Sequence, residues 1–309
     1  MRAKRSSGAR PFRRGVSGLT LAPLASAQAH EYWRVYVSGR TDLPSRSIAE
    51  HVERYLRLPA EEQRSHFAFL EGGRIVGTAR LLPGTLAGFS VAPERRDLAR
   101  QAIMRAVDVL RAKGSSSITA YFDDSYAPTF ADLGFRPQFA RMRMEAPTQR
   151  HPRPEGMDLK PPEEPEVAKL TRFLMDVYEG HMEQAFGMHV GSETEWREYV
   201  IGTMKGTEAG RFLPDASFVV VDGERLVGAI LTTHWMGMPL VSELGVAQER
   251  RRRGLGRALL RAAMDRLAQV GESRIALYTT LGNDPAIALY ASEGFAQAGG
   301  RTVTARLEG

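Results

Sequence analysis

The stretch Glu249-Arg-Arg-Arg-Arg-Gly-Leu-Gly-Arg-Ala-Leu259 decides how this chain folds, because a strand and a helix meet in it. The apolar segment 241–246 before it has the pattern of a strand, and the segment 254–270 carries the apolar stripe of a helix. A strand, a short loop and a helix in this order are typical of mixed α/β layers. The stretch therefore predicts an α/β fold with an α+β mixed sheet.

The same loop has the composition of an anion site. The first N–H groups of a helix are unpaired and lie at the positive end of the helix dipole, so they bind phosphate. Gly254 and Gly256 let a ligand approach the backbone without a Cβ atom in the way, and the arginines at 250–253 and 257 add charged donors. The loop is neither a Walker loop nor a G-x-G-x-x-G fingerprint. It predicts a pyrophosphate cradle, with a solvated basic run or an RNA-binding patch as the alternatives.

The chain repeats itself once. Residues Phe67–Gly77 resemble Phe218–Gly228, and Val91–Arg96 resemble Val246–Arg251. Each half is predicted to contain the same series of elements around a hairpin, ending in terminal strands. In the two halves respectively, these are a strand (17–23, 157–160), one or two helices (25–58, 162–205), a strand (85–91, 240–246), a long helix (98–113, 254–270), a strand (118–122, 274–279) and a short helix (125–132, 284–293).

Composition divides the chain into four segments. They are a disordered basic tail at 1–16, a first half at 17–145, a proline-rich linker at 146–156 and a second half at 157–309. The segment 16–29 resembles a signal peptide, but its apolar core is weak, and we interpret it as containing a strand instead. The predicted location is therefore the cytoplasm.

The net charge of +6 belongs to the tail. Six of the 42 basic residues fall within 1–16, and the other 36 balance 36 acidic residues. We therefore expect no nucleic-acid partner for the body of the chain. The absence of cysteine excludes disulfides, thiolate metal sites and a cysteine nucleophile, and no metal is expected. No apolar run approaches the roughly 18 residues of a membrane span, so no membrane partner is expected.

Two motifs in the second half resemble those of the GNAT acyltransferase superfamily. Arg251-x-x-Gly254-x-Gly256 resembles its R/Q-x-x-G-x-G/A motif, and Asn283-x-x-Ala286-x-x-x-Tyr290 followed by Gly294-Phe295 resembles the second half of its cofactor site. The resemblance covers 157–309 well and 17–145 weakly. It implies two tandem GNAT-like domains, the first degenerate and the second catalytic, with acetyl-CoA as cosubstrate. The cofactor-binding residues it implies are Leu244, Gly245, Val246, Arg251, Arg252, Arg253, Gly254, Leu255, Gly256, Arg257, Ala258, Asn283 and Ala286.

The resemblance also implies catalytic roles. Tyr290 is expected to protonate the departing CoA thiolate, and Glu243 to accept the proton of the attacking amine, directly or through water. His234 is a second candidate base, and a backbone N–H near Gly245 or Val246 is expected to polarise the acyl carbonyl. The alternatives are a core aromatic for Tyr290 and a surface or salt-bridged carboxylate for Glu243. We expect Asp284 to be the N-cap of the helix that carries Tyr290.

The matching loop of the first half has lost these features. Asp97 and Ala99 stand where the second half has its two glycines, and Phe130 stands where it has Tyr290. Asp97 is expected to cap the helix and to oppose a phosphate by its charge. We therefore predict one CoA site in each chain, in the second half.

The resemblance implies a primary amine, on a small molecule or a peptide, as the acceptor. In similar proteins the region between the first two helices covers the acceptor, which here is 178–196, and Trp235, Met236 and Met238 border the same cleft. Domain-interface packing is the alternative role of these residues. The predicted function is N-acetyl transfer in a ternary complex, with a non-catalytic acyl-CoA-binding module as the alternative. The sequence leaves a homodimer open.

Overall fold

The computed structural model describes residues 18–43, 48–152, 156–186, 189–208 and 210–309. The predicted basic tail at 1–16 and Met188 lie outside these ranges, and the side chain of Phe186 is not described. Across the described ranges, none of the helices combines the length and the apolar character needed to cross a membrane.

The chain folds into thirteen described strands and nine described α-helices, with short 3₁₀ helices between them. The strands of the first half are β1 (Thr20–Pro23), β2 (His66–Glu71), β3 (Arg74–Leu82), β4 (Thr85–Val91), β5 (Ile118–Asp123) and β6 (Arg136–Pro147). Those of the second half are β7 (Leu159–Lys160), β8 (Arg211–Phe212), β9 (Phe218–Asp222), β10 (Arg225–Trp235), β11 (Met238–Val246), β12 (Arg274–Thr280) and β13 (Ala296–Leu307). The helices are α1 (Ala29–Ser38), α2 (Ile48–Arg57), α3 (Ala60–Gln63), α4 (Ala99–Ala112), α5 (Ala127–Asp132), α6 (Val167–Tyr178), α7 (Glu193–Lys205), α8 (Leu255–Gln269) and α9 (Asp284–Ser292). The predicted α/β class with a mixed sheet is confirmed.

One mixed sheet runs through both halves, and the halves exchange their last strands. The strand order is β1-β2-β3-β4-β5-β13-β6-β12-β11-β10-β9-β7, with β8 paired to β10. β13, the last strand of the second half, therefore lies between β5 and β6, and β6 lies between β13 and β12. Each half thus borrows the final strand of the other to continue its sheet. The sequence does not predict this exchange, and the intervals 17–145 and 157–309 remain proposed domain boundaries.

Each half packs its long helix on its own part of the sheet. α4 contacts β3 and β4, and α8 contacts β10 and β11. The apolar stripe predicted for α8 is buried, with Leu259 and Ala263 fully inaccessible, except for its last residue, Val270, which is exposed. Burying one such leucine stabilises the fold by about 2 kcal/mol relative to leaving it exposed. The stripe therefore fixes which face of α8 lies on the sheet and where its N-terminus opens.

A β-bulge in β11 lies beside a gap between β11 and β12. Leu231 of β10 pairs with Glu243, while Thr232 pairs with Val241, so Ser242 is the extra residue in β11. β11 pairs with β12 only through Leu240 and Val241. Residues 242–246 of β11 therefore do not pair with β12, and a gap opens between the two strands. β4 and β5 part in the same way in the first half, where only Thr85 and Leu86 of β4 pair with β5.

Candidate active site

Most of the site residues predicted from sequence line one cavity of about 1440 Å³. Its walls come from both halves of the chain. The first half contributes aromatic and charged residues of α1, α2 and β6, and the second contributes the β11–β12 gap, the loop before α8 and the start of α9. The site residues predicted from sequence that line it are Glu243, Leu244, Val246, Arg251, Arg252, Gly254, Leu255, Gly256, Arg257, Asn283, Ala286 and Tyr290. Gly245, Arg253 and Ala258 are not among the lining residues.

The loop before α8 has the geometry that a phosphate requires. Gly254 is the N-cap of α8 and has φ +82°, a left-handed conformation that favours glycine, and a Cβ placed there would meet nothing within 4 Å. No side chain caps the helix, so its first N–H groups face the cavity without a side-chain acceptor. A Cβ on Gly256 would meet Leu289 and Val246 only at 3.5 Å, which is ordinary contact. The strict requirement for glycine is therefore at 254.

Only part of the predicted arginine cluster is available to a ligand. Arg251 donates to the carbonyls of Val246 and Val177, both at 3.1 Å, and so ties the end of β11 to the end of α6. Arg250 forms an ion pair with Asp222, and Arg257 forms one with Glu293 at 2.8 Å. Arg252 and Arg253 have no ion pair or side-chain hydrogen bond in the described part of the chain. A phosphate role for all five arginines stays a prediction, and Arg252 and Arg253 are the two whose side chains have no such partner among the described residues.

The hydrogen-bonding pattern between β10 and β11 determines which backbone N–H groups of β11 face the gap. Ala247 donates to the carbonyl of Val227, and the alternation of an antiparallel ladder then turns the N–H groups of Val246 and Leu244 away from β10. The same alternation turns the Gly245 N–H toward β10, and α6 packs on the Cα face of Gly245. The donors toward the gap are thus Val246 and Leu244, and not Gly245.

α9 places Tyr290 at the other side of the gap. The helix starts at Asp284, as predicted, but its N-cap is Asn283 and not Asp284. Pro285 occupies the first turn, where its missing N–H costs nothing. The Asn283 side chain makes no cap bond and instead lies 3.4 Å from the His181 ring nitrogen Nε2. Ala286 lies one turn before Tyr290 and leaves room beside it.

Tyr290 keeps its proton over a wide pH range. Its ring packs against the apolar core beneath α8, in the second half, and its centroid lies 6.0 Å from that of Phe295. The hydroxyl has no hydrogen-bond partner among the described residues. Burial raises the pKa of Tyr290 to about 12, and the charges of Glu243 and Glu183 act in the same direction. Arg141 acts in the opposite direction. A phenol of this kind can donate a proton to a strong base in the cavity.

Glu243 is held by two tyrosines that sequence reasoning missed. Its carboxylate, only 4% exposed, accepts from Tyr178 Oη at 2.6 Å and from Tyr199 Oη at 2.5 Å. Burial and the Glu243 charge raise the pKa of both tyrosines well above the usual value, so both remain donors. Glu243 is therefore not a surface carboxylate. The signal in the sequence was the presence of tyrosines in the segments predicted as the first two helices of the second half.

His234 does not lie at the site. It is near the end of β10, with Nδ1 3.7 Å from Glu50 and Nε2 3.9 Å from Glu272, and it does not line the cavity. Since Glu243 does line it, the structure favours Glu243 over His234 as the base.

The predicted acceptor segment contributes a polar wall. His189 Nε2 lies 2.7 Å from Glu183 Oε2, and its ring stacks on Tyr178 with centroids 3.7 Å apart. The Thr280 hydroxyl donates to the other oxygen of Glu183. Burial alone would raise the pKa of Glu183, but the bonds from His189 and Thr280 hold it at about 2. Burial lowers the pKa of His181, so that imidazole is neutral near pH 7. Trp235 and Met236 also line the cavity, whereas Met238 does not.

The corresponding gap of the first half is filled by a side chain. The Tyr126 hydroxyl accepts from the N–H of Val91 at 2.9 Å and donates toward the carbonyls of Gly39 and Val91. Val91 is the repeat partner of Val246, and the alignment of Phe130 with Tyr290 places Tyr126 opposite Ala286. The first half therefore has a tyrosine where the second half has open space.

The loop of the first half also differs from its prediction. Asp97 lies in a 3₁₀ helix (Pro93–Leu98) and faces Arg95 at 3.4 Å, and the N-cap of α4 is Leu98. The expected capping role of Asp97 is therefore wrong, because the loop adds a helical turn before α4. Phe130 is fully buried and stacks on Phe122 with centroids 3.8 Å apart.

The described residues contain no group of three or more His, Cys, Asp or Glu side chains that could hold a metal ion. The donors around the cavity are instead suited to an organic phosphate at one end and a polar organic molecule at the other.

Residues 174–295 match the acetyltransferase (GNAT) family. The mycothiol acetyltransferase of Kocuria rhizophila is 31% identical over 131 residues, which make up 38% of this chain and 43% of that protein. The match thus spans less than half the length of this relative.

Two solved structures share the fold over nearly the whole chain. A GCN5-related N-acetyltransferase from Sphaerobacter thermophilus superposes with a TM-score of 0.73 at 16% identity, covering 94% of this chain and 95% of that one. A tandem GNAT protein from the clavulanic acid biosynthesis pathway superposes with a TM-score of 0.67 at 18% identity, covering 94% and 98%. Residues 174–295 therefore match the acetyltransferase (GNAT) family, and the chain shares the fold of these two structures.

Proposed function

We propose that this protein is an acetyl-CoA-dependent N-acetyltransferase whose active site lies in the second half. The observation that carries the proposal is the β11–β12 gap. A buried carboxylate, Glu243, and a protonated phenol, Tyr290, both line the cavity at this gap, which leads to the uncapped N-terminus of α8. The family of residues 174–295 and the names of the relatives support the same activity.

The residues present fit acetyl-CoA. The N–H groups at the start of α8, with Arg252 beside them, suit its pyrophosphate, and the N–H groups of Leu244 and Val246 suit the amide arm and the acyl carbonyl. Acetyl-CoA supplies an acetyl group on a thioester when bound. Direct transfer forms a bond between the amine nitrogen and the acyl carbon, and the C–S bond breaks.

The chain's own groups handle the two protons of this reaction. The amine loses a proton, which we assign to Glu243, and the departing thiolate gains one, which we assign to Tyr290. Both oxygens of Glu243 already accept from tyrosines, and its side chain is almost inaccessible, so the proton reaches it through water or through the Tyr178 hydroxyl. The Val246 N–H stabilises charge on the carbonyl oxygen.

The acceptor is proposed to lie between the halves. The cavity continues from Tyr290 to a group of first-half aromatic residues that includes Trp33, Tyr36 and His51. Trp33 and His51 stack with centroids 4.6 Å apart, and Tyr36 lies edge-on to both rings. A primary amine on a small molecule fits this space, and so does the N-terminus of a peptide.

A thiol-release assay with the full chain tests the proposal. Purified protein is incubated with acetyl-CoA and a panel of primary amines, and free CoA is followed with a thiol reagent. We expect amine-dependent CoA release and an N-acetylated product by mass spectrometry. Tight acetyl-CoA binding with no turnover across the panel would favour the non-catalytic alternative and overturn the proposal.

A further inference from the structure

One face of the central strands forms the floor of the cavity, and Arg141 stands at its centre. Arg141 of β6 pairs with Thr280 of β12 on one side and with Thr302 of β13 on the other. Paired residues of neighbouring strands share a face, so all three lie on the floor, and all three line the cavity. The strand exchange therefore brings an arginine of the first half into the second half's site.

The carboxylates nearest to this arginine already have other partners. Thr280 donates to Glu183, which also holds His189. Thr302 donates to Asp42 at 2.5 Å, and Asp42 forms a bidentate pair with Arg40. Neither carboxylate forms an ion pair with Arg141, although the Arg141 charge contributes to the lowered pKa of Glu183.

Arg141 itself has no ion pair or hydrogen bond in the described part of the chain. Its Nε is buried without a partner, and its guanidinium lies 6.0 Å from the centre of the Tyr278 ring. A buried Nε–H without an acceptor is costly, and the planar set of N–H donors of a guanidinium matches a carboxylate. Its charge also affects Tyr290, so it lies close to the proposed chemistry.

Apart from Arg252, the other arginines that line the cavity have polar partners. Arg80 donates to Ser65 and pairs with Glu62, and Arg54 donates to the carbonyl of Glu208. Arg250, Arg251 and Arg257 have the partners described above, and Arg252 lies at the phosphate end. Arg141 is thus the cation at the acceptor end, among the described residues, that lacks a polar partner.

We propose that Arg141 binds a carboxylate of the acceptor, so that the preferred substrates are amines that also carry a carboxylate group. This inference rests on the proposed function. The carboxylate would accept two hydrogen bonds from the guanidinium while the amine lies toward Glu243. Arg141 is in this sense a specificity-determining residue supplied by the exchanged strand.

Matched acceptors test the proposal. The thiol-release assay is run with α-, β- and γ-amino acids and with the primary amide of each, using the wild type, Arg141→Met and Arg136→Met. Arg136 is an exposed arginine at the start of the same strand that does not line the cavity. Acetyl-CoA affinity by calorimetry and the melting temperature report whether each variant is folded.

We expect the wild type to prefer at least one amino acid over its amide, and Arg141→Met to lose that preference. The loss in kcat/KM for the carboxylate substrate should be about tenfold or more, because a hydrogen bond between charged groups is lost. Turnover of the amides by Arg141→Met should fall less than turnover of the acids, because the Arg141 charge also acts on Tyr290. Acetyl-CoA affinity and the activities of the Arg136→Met variant should be unchanged.

Two other outcomes are distinguishable. Wild-type turnover that is equal for acids and amides, or a preference that survives in Arg141→Met, overturns the role of Arg141 and leaves the acetyltransferase proposal standing. If the wild type turns over none of the amines, both the role of Arg141 and the acetyltransferase proposal are refuted. If Arg141→Met does not fold, Arg141→Lys serves instead, and it should lower the preference because an ammonium cannot form the planar pair.

Discussion

Replacing Tyr290 with phenylalanine removes one hydroxyl and little else. The Tyr290 ring packs beside Phe295 against the apolar core of the second half, and phenylalanine keeps that packing. The hydroxyl has no hydrogen-bond partner among the described residues, so its removal leaves no orphaned group. We expect the free energy of unfolding to change by less than about 0.5 kcal/mol.

The rate of the chemical step should change much more than the stability. A positioned general acid contributes about 10²- to 10⁴-fold to a rate, so kcat in Tyr290→Phe should fall by about 100-fold or more. The KM for acetyl-CoA should change little, because the pyrophosphate contacts lie at α8. With a pKa of about 12, roughly one Tyr290 in a thousand is ionised at pH 9, so the wild-type kcat should not decline between neutral pH and about pH 9 through loss of this proton.

Steady-state thiol release over this pH range measures both effects, and urea unfolding controls for stability. Wild-type kcat in a folded Tyr290→Phe protein would refute the assignment of the proton donor.

Three further predictions concern the cradle, the polar wall and the filled gap. Gly254→Ala and its control Gly271→Ala both place a side chain at φ above +80° with no clash, so each should lose about 1 kcal/mol of stability in urea, but only Gly254→Ala should weaken acetyl-CoA binding by calorimetry. The pKa of Glu183 is about 2 against an ordinary value of 4.5, so its ionised form contributes up to about 3 kcal/mol above pH 4.5, and this is lost as the pH falls toward 2. The stability difference between the wild type and Glu183→Gln should therefore shrink on acidification, and a constant difference would contradict the assigned pKa. Tyr126→Phe leaves the Val91 N–H unpaired and should cost about 1–3 kcal/mol in urea unfolding, without creating a second acetyl-CoA site.

The features predicted correctly from sequence are those encoded within a dozen residues. The stripe and glycines of α8 define a helix and its open N-terminus through local periodicity and backbone conformation alone. The short helix predicted at 284–293 likewise forms as α9 and places Tyr290 at the gap, although its N-cap is Asn283 and not Asp284.

The features missed depend on contacts between distant segments. Nothing in the composition of β6 distinguishes β12 from β5 as its neighbour, so the exchange and the position of Arg141 were not predictable from pattern. The tyrosines that hold Glu243 come from α6 and α7, and the pairing of Arg251 with Val177 depends on how α6 ends against β11. These arrangements follow from packing of whole elements.

The filled gap of the first half was within reach of the sequence. The repeat alignment that pairs Phe130 with Tyr290 also pairs Tyr126 with Ala286, and a tyrosine in place of an alanine indicates a filled space. The hydrogen bond from Val91 to Tyr126 gives the physical reason, because that N–H is the counterpart of the Val246 donor.

Calorimetric titration of the full chain with acetyl-CoA tests most directly the claim that the second half alone holds the cosubstrate. The first-half gap is filled by Tyr126 and its loop lacks both glycines, whereas the second-half gap and the N-terminus of α8 are open. We expect one acetyl-CoA bound per chain, with binding weakened by Gly254→Ala. Two acetyl-CoA molecules per chain, or one that is insensitive to Gly254→Ala, would contradict it.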